Sequence, residues 1–270
     1  MISYPPAKIN IGLSVQSKRP DGYHEIVTIM SPIPLYDILE VLPAELFSFK
    51  QTGIILPCDG RLNLCERAFN LMKEKFGIGN VYIHLRKQIP FGAGLGGGSA
   101  DAAYVLKALN GLFELNIEAS ELENLAAQLG SDCPFFIDAS PKLAIGRGEL
   151  LSPIKDRLSG IRIVVLNPKI HVSTAFAYAA IAPRVRGMDW ETSWNSPIDE
   201  WQELFTNDFE QSIVAHFPVI TELICALKNQ GAIYAAMSGS GSSVFGLFEQ
   251  ECKLDFSKYE DFIVLNEIIH

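Results

Sequence analysis

Strict alternation opens the chain. Between residues 7 and 15, Ala7, Ile9, Ile11, Leu13 and Val15 take every second place, with Lys8, Asn10, Gly12 and Ser14 between them. Side chains alternate across a strand with period two, so this pattern predicts a strand with Lys8 and Asn10 on one face. Pro20 and the Asp21-Gly22 pair break the alternation and predict a turn over 19–25. Strand-like runs resume at 26–30 and 36–42.

From Asn63 the period changes. Leu64, Ala68, Leu71 and Met72 share one helical face, and Gly77 ends it. Residues 81–87 alternate as a strand. Ala102, Val105, Leu106 and Leu109 restore the helical period up to Asn110-Gly111, and Ser120 with Glu123 predicts a capping box for a helix that closes at Gly130. Further along, 161–168 reads as a strand and 183–200 as a surface loop. A helix follows over 218–231, with Pro218 at its first position and Gly231 at its end. Residues 232–237 and 244–249 read as two strands around the glycine turn 238–243. Strands and helices are interspersed without an internal repeat, so the fold class is mixed, α+β. The loop-like stretch before 160 is the expected boundary between domains 1–153 and 154–270.

Composition narrows the function. The 270 residues are 48% hydrophobic and 20% charged, the balance of a soluble globular chain. A net charge of −9 argues against nucleic acid, whose phosphates are bound by clustered Lys and Arg. The five cysteines (Cys58, Cys65, Cys133, Cys225, Cys252) form no CxxC pair, which fits a reduced cytoplasmic protein. The N-terminus lacks the pattern of a signal peptide, and no apolar run approaches a membrane span. The five histidines do not cluster into a zinc-type site.

The stretch PFGAGLGGGSADAA, residues 90–103, is the candidate for chemistry. A strand and Pro90 precede it, and a helix of small residues follows, which is not the polar setting of a flexible spacer. A helix N-terminus presents unpaired N–H groups and the positive end of the macrodipole, and glycines before it let the backbone curl around an anion. The plainer alternative is a glycine turn before a helix with Ser99 as its N-cap and Asp101 complementing the dipole. The phosphate reading is preferred. The segment is neither a Walker A loop, because no Gly-Lys-Ser/Thr follows, nor a dinucleotide fingerprint, because Gly92, Gly94 and Gly96 have the wrong spacing. A second glycine loop, Gly239-Ser240-Gly241, lies between two apolar strands and reads equally well as a simple turn. From the residues alone, a solvated strand lysine is the preferred reading of Lys8 and a surface histidine that of His24, while Asp132 reads as held against apolar neighbours, with a helix-terminal or turn aspartate as the alternative.

Three motifs in order change that weighting: PAKIN at 6–10, PFGAGLGGGSADAA at 90–103 and MSGSGSSVFGLF at 237–248. Together they resemble the GHMP kinase superfamily. RPDGYHEIVTIM, NLCERAF and SDCPFF carry the resemblance toward members that phosphorylate 4-diphosphocytidyl-2-C-methyl-D-erythritol in the non-mevalonate isoprenoid route. The resemblance implies a ribosomal protein S5 domain 2-like N-terminal domain and a ferredoxin-like C-terminal one. It implies ATP with Mg²⁺, the phosphates resting on Pro90, Gly92, Ala93, Gly94, Leu95, Gly96, Gly97, Gly98, Ser99 and Ala100. Asn63 and Lys87 fall near the adenine, and Gly239, Ser240 and Gly241 complete the loop set. No dedicated metal side chain is implied beyond the Ser99 hydroxyl. Asp132 would be the base and Lys8 its electrostatic partner. Tyr23, His24, Asn10, Thr174 and Tyr178 would take the cytidyl substrate, with Tyr23 stacking on cytosine and His24 on its polar edge. The expected partner is a small molecule, with neither nucleic acid nor membrane, and the chain is a monomer or a weak homodimer. A kinase for homoserine, mevalonate or a sugar, and a catalytically silent nucleotide-binding regulator, are the competing readings.

Overall fold

The computed structural model describes residues 1–55, 62–179, 181, 183–185 and 187–270. Cys58 lies outside the described residues. In chain order the elements of the first half are β1 (Ile2–Ser3), β2 (Pro6–Lys18), β3 (His24–Tyr36), β4 (Ile38–Pro43), β5 (Ser48–Gly53), α1 (Leu64–Phe76), β6 (Val81–Lys87), α2 (Gly97–Leu112), α3 (Ala119–Ala127), α4 (Phe135–Asp138), β7 (Lys142–Gly146) and β8 (Leu150–Pro153). The second half holds β9 (Arg162–Leu166), α5 (Thr174–Ala179), α6 (Trp190–Asn195), α7 (Trp201–Leu204), α8 (Asp208–His216), α9 (Pro218–Asn229), β10 (Tyr234–Met237), β11 (Val244–Phe248) and β12 (Ile263–Ile268).

The described strands form three four-stranded sheets, ordered β1-β4-β6-β5, β2-β3-β7-β8 and β10-β11-β9-β12. In the first, β5 and β6 run parallel, with Ser48 opposite Tyr82. Packing divides the chain differently from a single cut at 153/154. One compact unit is Met1–Ala7, Leu35–Phe91 and Gly96–Ser140; the other is Lys8–Pro34, Gly92–Leu95 and Pro141–His270. The physical reason is that β2 and β3 are each 13 residues long, and each contributes to both units.

In the first unit, α1 buries Cys65, Ala68, Phe69 and Met72, close to the predicted face. Asn63 caps it, Glu66 completes a capping box, and Gly77 ends it in the left-handed conformation. Helix α2 begins at Gly97 with Gly96 as N-cap, so Ser99 is not the cap but a first-turn residue. It also runs through Asn110-Gly111 to Leu112. Asn110 turns outward from the helix register to pin the next loop, accepting from Ile117 N and donating to its carbonyl, both at 3.0 Å. The Ser120–Glu123 capping box does not form, because α3 starts two residues earlier with Glu118 as N-cap.

In the second unit, α8 and α9 cover the sheet formed by β9, β10, β11 and β12. Phe209, Ile213, Ile220, Leu223 and Leu227 pack on Val164, Leu166, Met237 and Val244 in one buried cluster. The helical spacing of the first set and the alternation of the second bring these faces together. The region 183–200, expected as a surface loop, contains α6, capped by Asp189. Trp190 and Trp194 lie four residues apart on one helical face and are buried, and Trp194 stacks on Trp201 at 4.3 Å. The stretch 152–160, expected to be loop-like, is so from 154 onward, and the edge strand β8 takes in only its first two residues. No single helix among the described residues is long and apolar enough to cross a membrane.

Candidate functional site

In the second unit, both faces of β2 are covered. Ile9, Ile11 and Val15 are fully buried, and on the polar face Lys8 and Asn10 are 3% and 2% exposed. A solvated lysine is therefore excluded. The Lys8 ammonium donates to Asn10 Oδ1 at 2.5 Å. Asn10 Nδ2 donates to Thr28 Oγ1 at 3.1 Å, and that hydroxyl donates to the Gly12 carbonyl at 2.5 Å. This row orders the polar face of the strand, since each buried polar group has a partner.

The two glycine loops meet beside it. Lys8 N donates to Leu95 O at 2.9 Å, and Ser243 N donates to Ala93 O at 3.1 Å. Ser238 Oγ accepts from Asn10 N at 3.3 Å and donates to Gly94 O at 2.8 Å. Gly94 has φ +78°, and a Cβ there would lie 2.0 Å from Ser238 O. Only glycine permits that approach. Asn207 holds the second loop from below, donating from Nδ2 to Met237 O at 2.9 Å and Gly239 O at 2.8 Å. Ser240 and Thr174 place their hydroxyls 3.5 Å apart, so α5 starts against the loop. One turn along α5, Tyr178 stacks on His24 at 4.7 Å with an interplanar angle of 16°. Burial and then the nearby Lys18 charge hold His24 below its ordinary pKa, so its imidazole is neutral at physiological pH. Tyr23 is 54% exposed, and the Arg147 guanidinium sits 4.9 Å over its ring.

The first unit holds the other predicted residues. Gly96, at φ +72°, turns the chain into α2, whose first N–H groups are those of Gly97, Gly98 and Ser99. The Ser99 hydroxyl is a hydrogen-bond partner of the Cys133 thiol, which burial pushes up to about 12. Asn63 Oδ1 accepts from Cys65 N at 2.9 Å in the cap of α1. Asp132 is half-buried in the turn between α3 and α4. Lys87 is buried, and its ammonium pairs with Asp37 and, at 2.8 Å, with Asp101. Burial opposes its charge, but the Asp101 and Asp37 carboxylates outweigh burial and hold Lys87 above its ordinary pKa. Asp101 thus serves this pair rather than the helix dipole.

Glycines 92, 94 and 96 are left-handed, and α2, the 16-residue helix that follows them in the chain, presents at its start backbone donors of the kind that can hold an anion. Among the described residues, no three His, Cys, Asp or Glu side chains gather as a metal cage. Sequence reasoning missed Thr28, Asn207 and Ser238. Asn207 is legible as the cap of α8, accepting from Phe209 N at 2.9 Å, but its grip on residues thirty positions away leaves no local signal.

Comparison with known proteins gives the family and the fold. The model of the GHMP kinases N terminal domain matches residues 63–139, and that of the GHMP kinases C terminal matches 195–255. A 4-diphosphocytidyl-2-C-methyl-D-erythritol kinase of Parabacteroides distasonis is 47% identical over 250 residues, 93% of this chain and 92% of its own. A crystal structure of 4-(cytidine 5'-diphospho)-2C-methyl-D-erythritol kinase superposes with a TM-score of 0.76 at 38% identity, covering 92% of this chain and 90% of the other. The mevalonate kinase of Methanococcus jannaschii shares the fold, with a TM-score of 0.70 at 15% identity over 93% and 92% of the two chains.

Proposed function

The chain belongs to the GHMP kinases, and from that premise we propose that it transfers the γ-phosphoryl group of ATP to the 2-hydroxyl of 4-diphosphocytidyl-2-C-methyl-D-erythritol. The observation that carries this reading is one unbroken line of contacts. It runs from Lys8 through Asn10 to Ser238 and Gly94, and continues from Ser240 through Thr174 and α5 to the Tyr178–His24 stack. A charged group, a phosphate-type loop and an aromatic platform thus share one packed frame.

In the proposed reaction the backbone N–H groups of 92–100 cradle the triphosphate and absorb charge that spreads over the transferring group. Asp132 takes the proton of the attacking hydroxyl, and Lys8 stabilises the alkoxide as it develops. Mg²⁺ would neutralise phosphate charge, carried on the phosphate oxygens and on the Ser99 hydroxyl, the one side chain of this loop able to meet it. Tyr23 and Tyr178 offer ring faces to cytosine. The neutral His24 imidazole hydrogen-bonds its edge, and the buried Asn10 amide lies toward the erythritol end. Asn63 and the backbone around Lys87 border the adenine. The reading places the protein in the cytoplasm, as a monomer or weak homodimer.

ADP release with Mg²⁺-ATP tests it across a panel of alcohols. The cytidyl methylerythritol should give turnover well above homoserine, mevalonate and simple sugars. Equal or greater turnover with one of those would replace the substrate, and no turnover with any would favour a silent nucleotide-binding protein.

A further inference from the structure

Among the described residues, three buried ionisable groups gather where the chain enters and leaves the glycine loop, in a cluster with no assigned part in the chemistry. Lys87 ends β6, just before the loop; Asp101 sits one turn into α2, just after it; Asp37 stands between β3 and β4. All three are 2% exposed or less. Lys87 Nζ donates to Asp37 Oδ2 and, at 2.8 Å, to Asp101 Oδ2. Asp37 Oδ1 also accepts the backbone N–H groups of Gln88 at 2.5 Å and Ile89 at 2.9 Å. The first residue of α2 rests on the same group: a Cβ on Gly97 would lie 2.8 Å from both Lys87 Nζ and Ile89 Cγ2. Both feet of the glycine loop, Ile89 and Gly97, are therefore tied to one ammonium and one carboxylate.

Such a cluster is a poor way to gain stability. Desolvating three ionisable groups costs several kcal/mol per ion, and an apolar core of equal volume is often more stable. Asp101 Oδ1 is also buried without a hydrogen-bond partner among the described residues, a cost that a purely structural bridge has no reason to keep. What the cluster does provide is direction. Its hydrogen bonds fix the separation and orientation of the two chain ends, which dispersion contacts alone would leave free to slide.

We infer that Lys87, Asp37 and Asp101 form a clamp that sets the spacing of the two feet of the phosphate loop, and that they are positioning residues for nucleotide binding. The ammonium of Lys87 is then occupied by carboxylates and does not itself contact the nucleotide. This rests on the reading of residues 92–100 as the triphosphate cradle. Burial pushes Asp101 above its ordinary pKa against the pull of Lys87. Asparagine keeps the shape of the carboxyl and an acceptor oxygen for the Lys87 ammonium.

The test is titration with the fluorescent nucleotide mant-ADP plus Mg²⁺ at pH 7, alongside melting temperature and the KM of the alcohol substrate. Lys87→Met and Asp101→Ala should each weaken mant-ADP binding about tenfold or more while the alcohol KM changes less than about twofold. Asp101→Asn should recover most of the affinity lost in the alanine variant, which a role in bulk stability would not require. Asp101→Ala keeps the Lys87–Asp37 pair and decides the matter if Lys87→Met does not fold. Wild-type affinity in folded Asp101→Ala overturns the clamp. Equal losses for mant-ADP and alcohol also overturn it. Wild-type protein that binds no mant-ADP overturns the phosphate-loop reading, and the clamp with it.

Discussion

Gly94→Ala is the sharpest perturbation the two glycine loops allow. The added Cβ would stand 2.0 Å from Ser238 O and 3.3 Å from Gly241 N, where ordinary contact begins at 3.4 Å. The loops must therefore part by about 1.4 Å at Ser238, since neither backbone is a flexible side-chain tip. Three costs follow. Holding alanine at φ +78° costs about 1–2 kcal/mol. Losing the hydrogen bond from Ser238 Oγ to Gly94 O adds about 1 kcal/mol. Displacing the cradle by more than an ångström costs about 10²-fold in transfer rate. The melting temperature should fall by roughly 4–12 °C, from about 2–4 °C per kcal/mol at this size.

Gly231→Ala is the control. Its φ of +87° carries the same backbone strain, yet nothing lies within 4 Å of the new Cβ. The assay is steady-state ADP release with ATP varied at saturating alcohol, with thermal melts of each variant. The reasoning predicts that Gly94→Ala loses kcat and raises the KM for ATP, whereas Gly231→Ala loses only stability. If the two variants show the same kinetics, contact between the loops is not what shapes the cradle.

Three other outcomes follow from named contacts. Asp132→Asn should lower kcat by about 10²–10⁴-fold with the KM for ATP little changed; a kcat within about threefold of wild type in steady-state assays removes Asp132 as the base. Tyr178→Ala removes the ring stacked on His24 and should raise the KM for the cytidyl alcohol by about 1–3 kcal/mol of lost stacking, leaving the KM for ATP alone; equal change in both constants contradicts the platform. Glu210, whose Oε1 accepts Met237 N at 2.7 Å, is held above its ordinary pKa by burial. The native state then binds more protons than the unfolded state between the two values, so this group's stabilisation falls as pH rises through that window. Melting temperatures of wild type and Glu210→Gln, compared from pH 4 upward, should diverge in favour of the variant; a constant gap would refute the assignment.

How far the sequence reached depended on whether the signal was local. The alternation of residues 7–15, the helical period after Asn63 and the strand-turn-strand around Gly239 each depend on near neighbours, and each element is present. Lys8 was ambiguous because alternation says only which residues share a face. Whether that face is wet depends on distant parts of the chain, and Phe205 and Trp190 pack against Gly12 of the same strand. Ser99 misled because serine before alanines looks like a cap, while two glycines that ordinarily disfavour helix were drawn into α2. The Trp190–Trp194 spacing was legible as a helix face, but Pro197 and short length hid it. Asp37 had no local signal. Its partners are fifty or more residues away, and only the fold brings them together.

The most direct measurement is the identity of the product. Purified protein with Mg²⁺-ATP and 4-diphosphocytidyl-2-C-methyl-D-erythritol should yield one new phosphomonoester, with ³¹P and ¹³C NMR placing it on the 2-carbon of the erythritol. A phosphate on any other hydroxyl, or ADP formed while the cytidyl alcohol stays unmodified, would contradict the account.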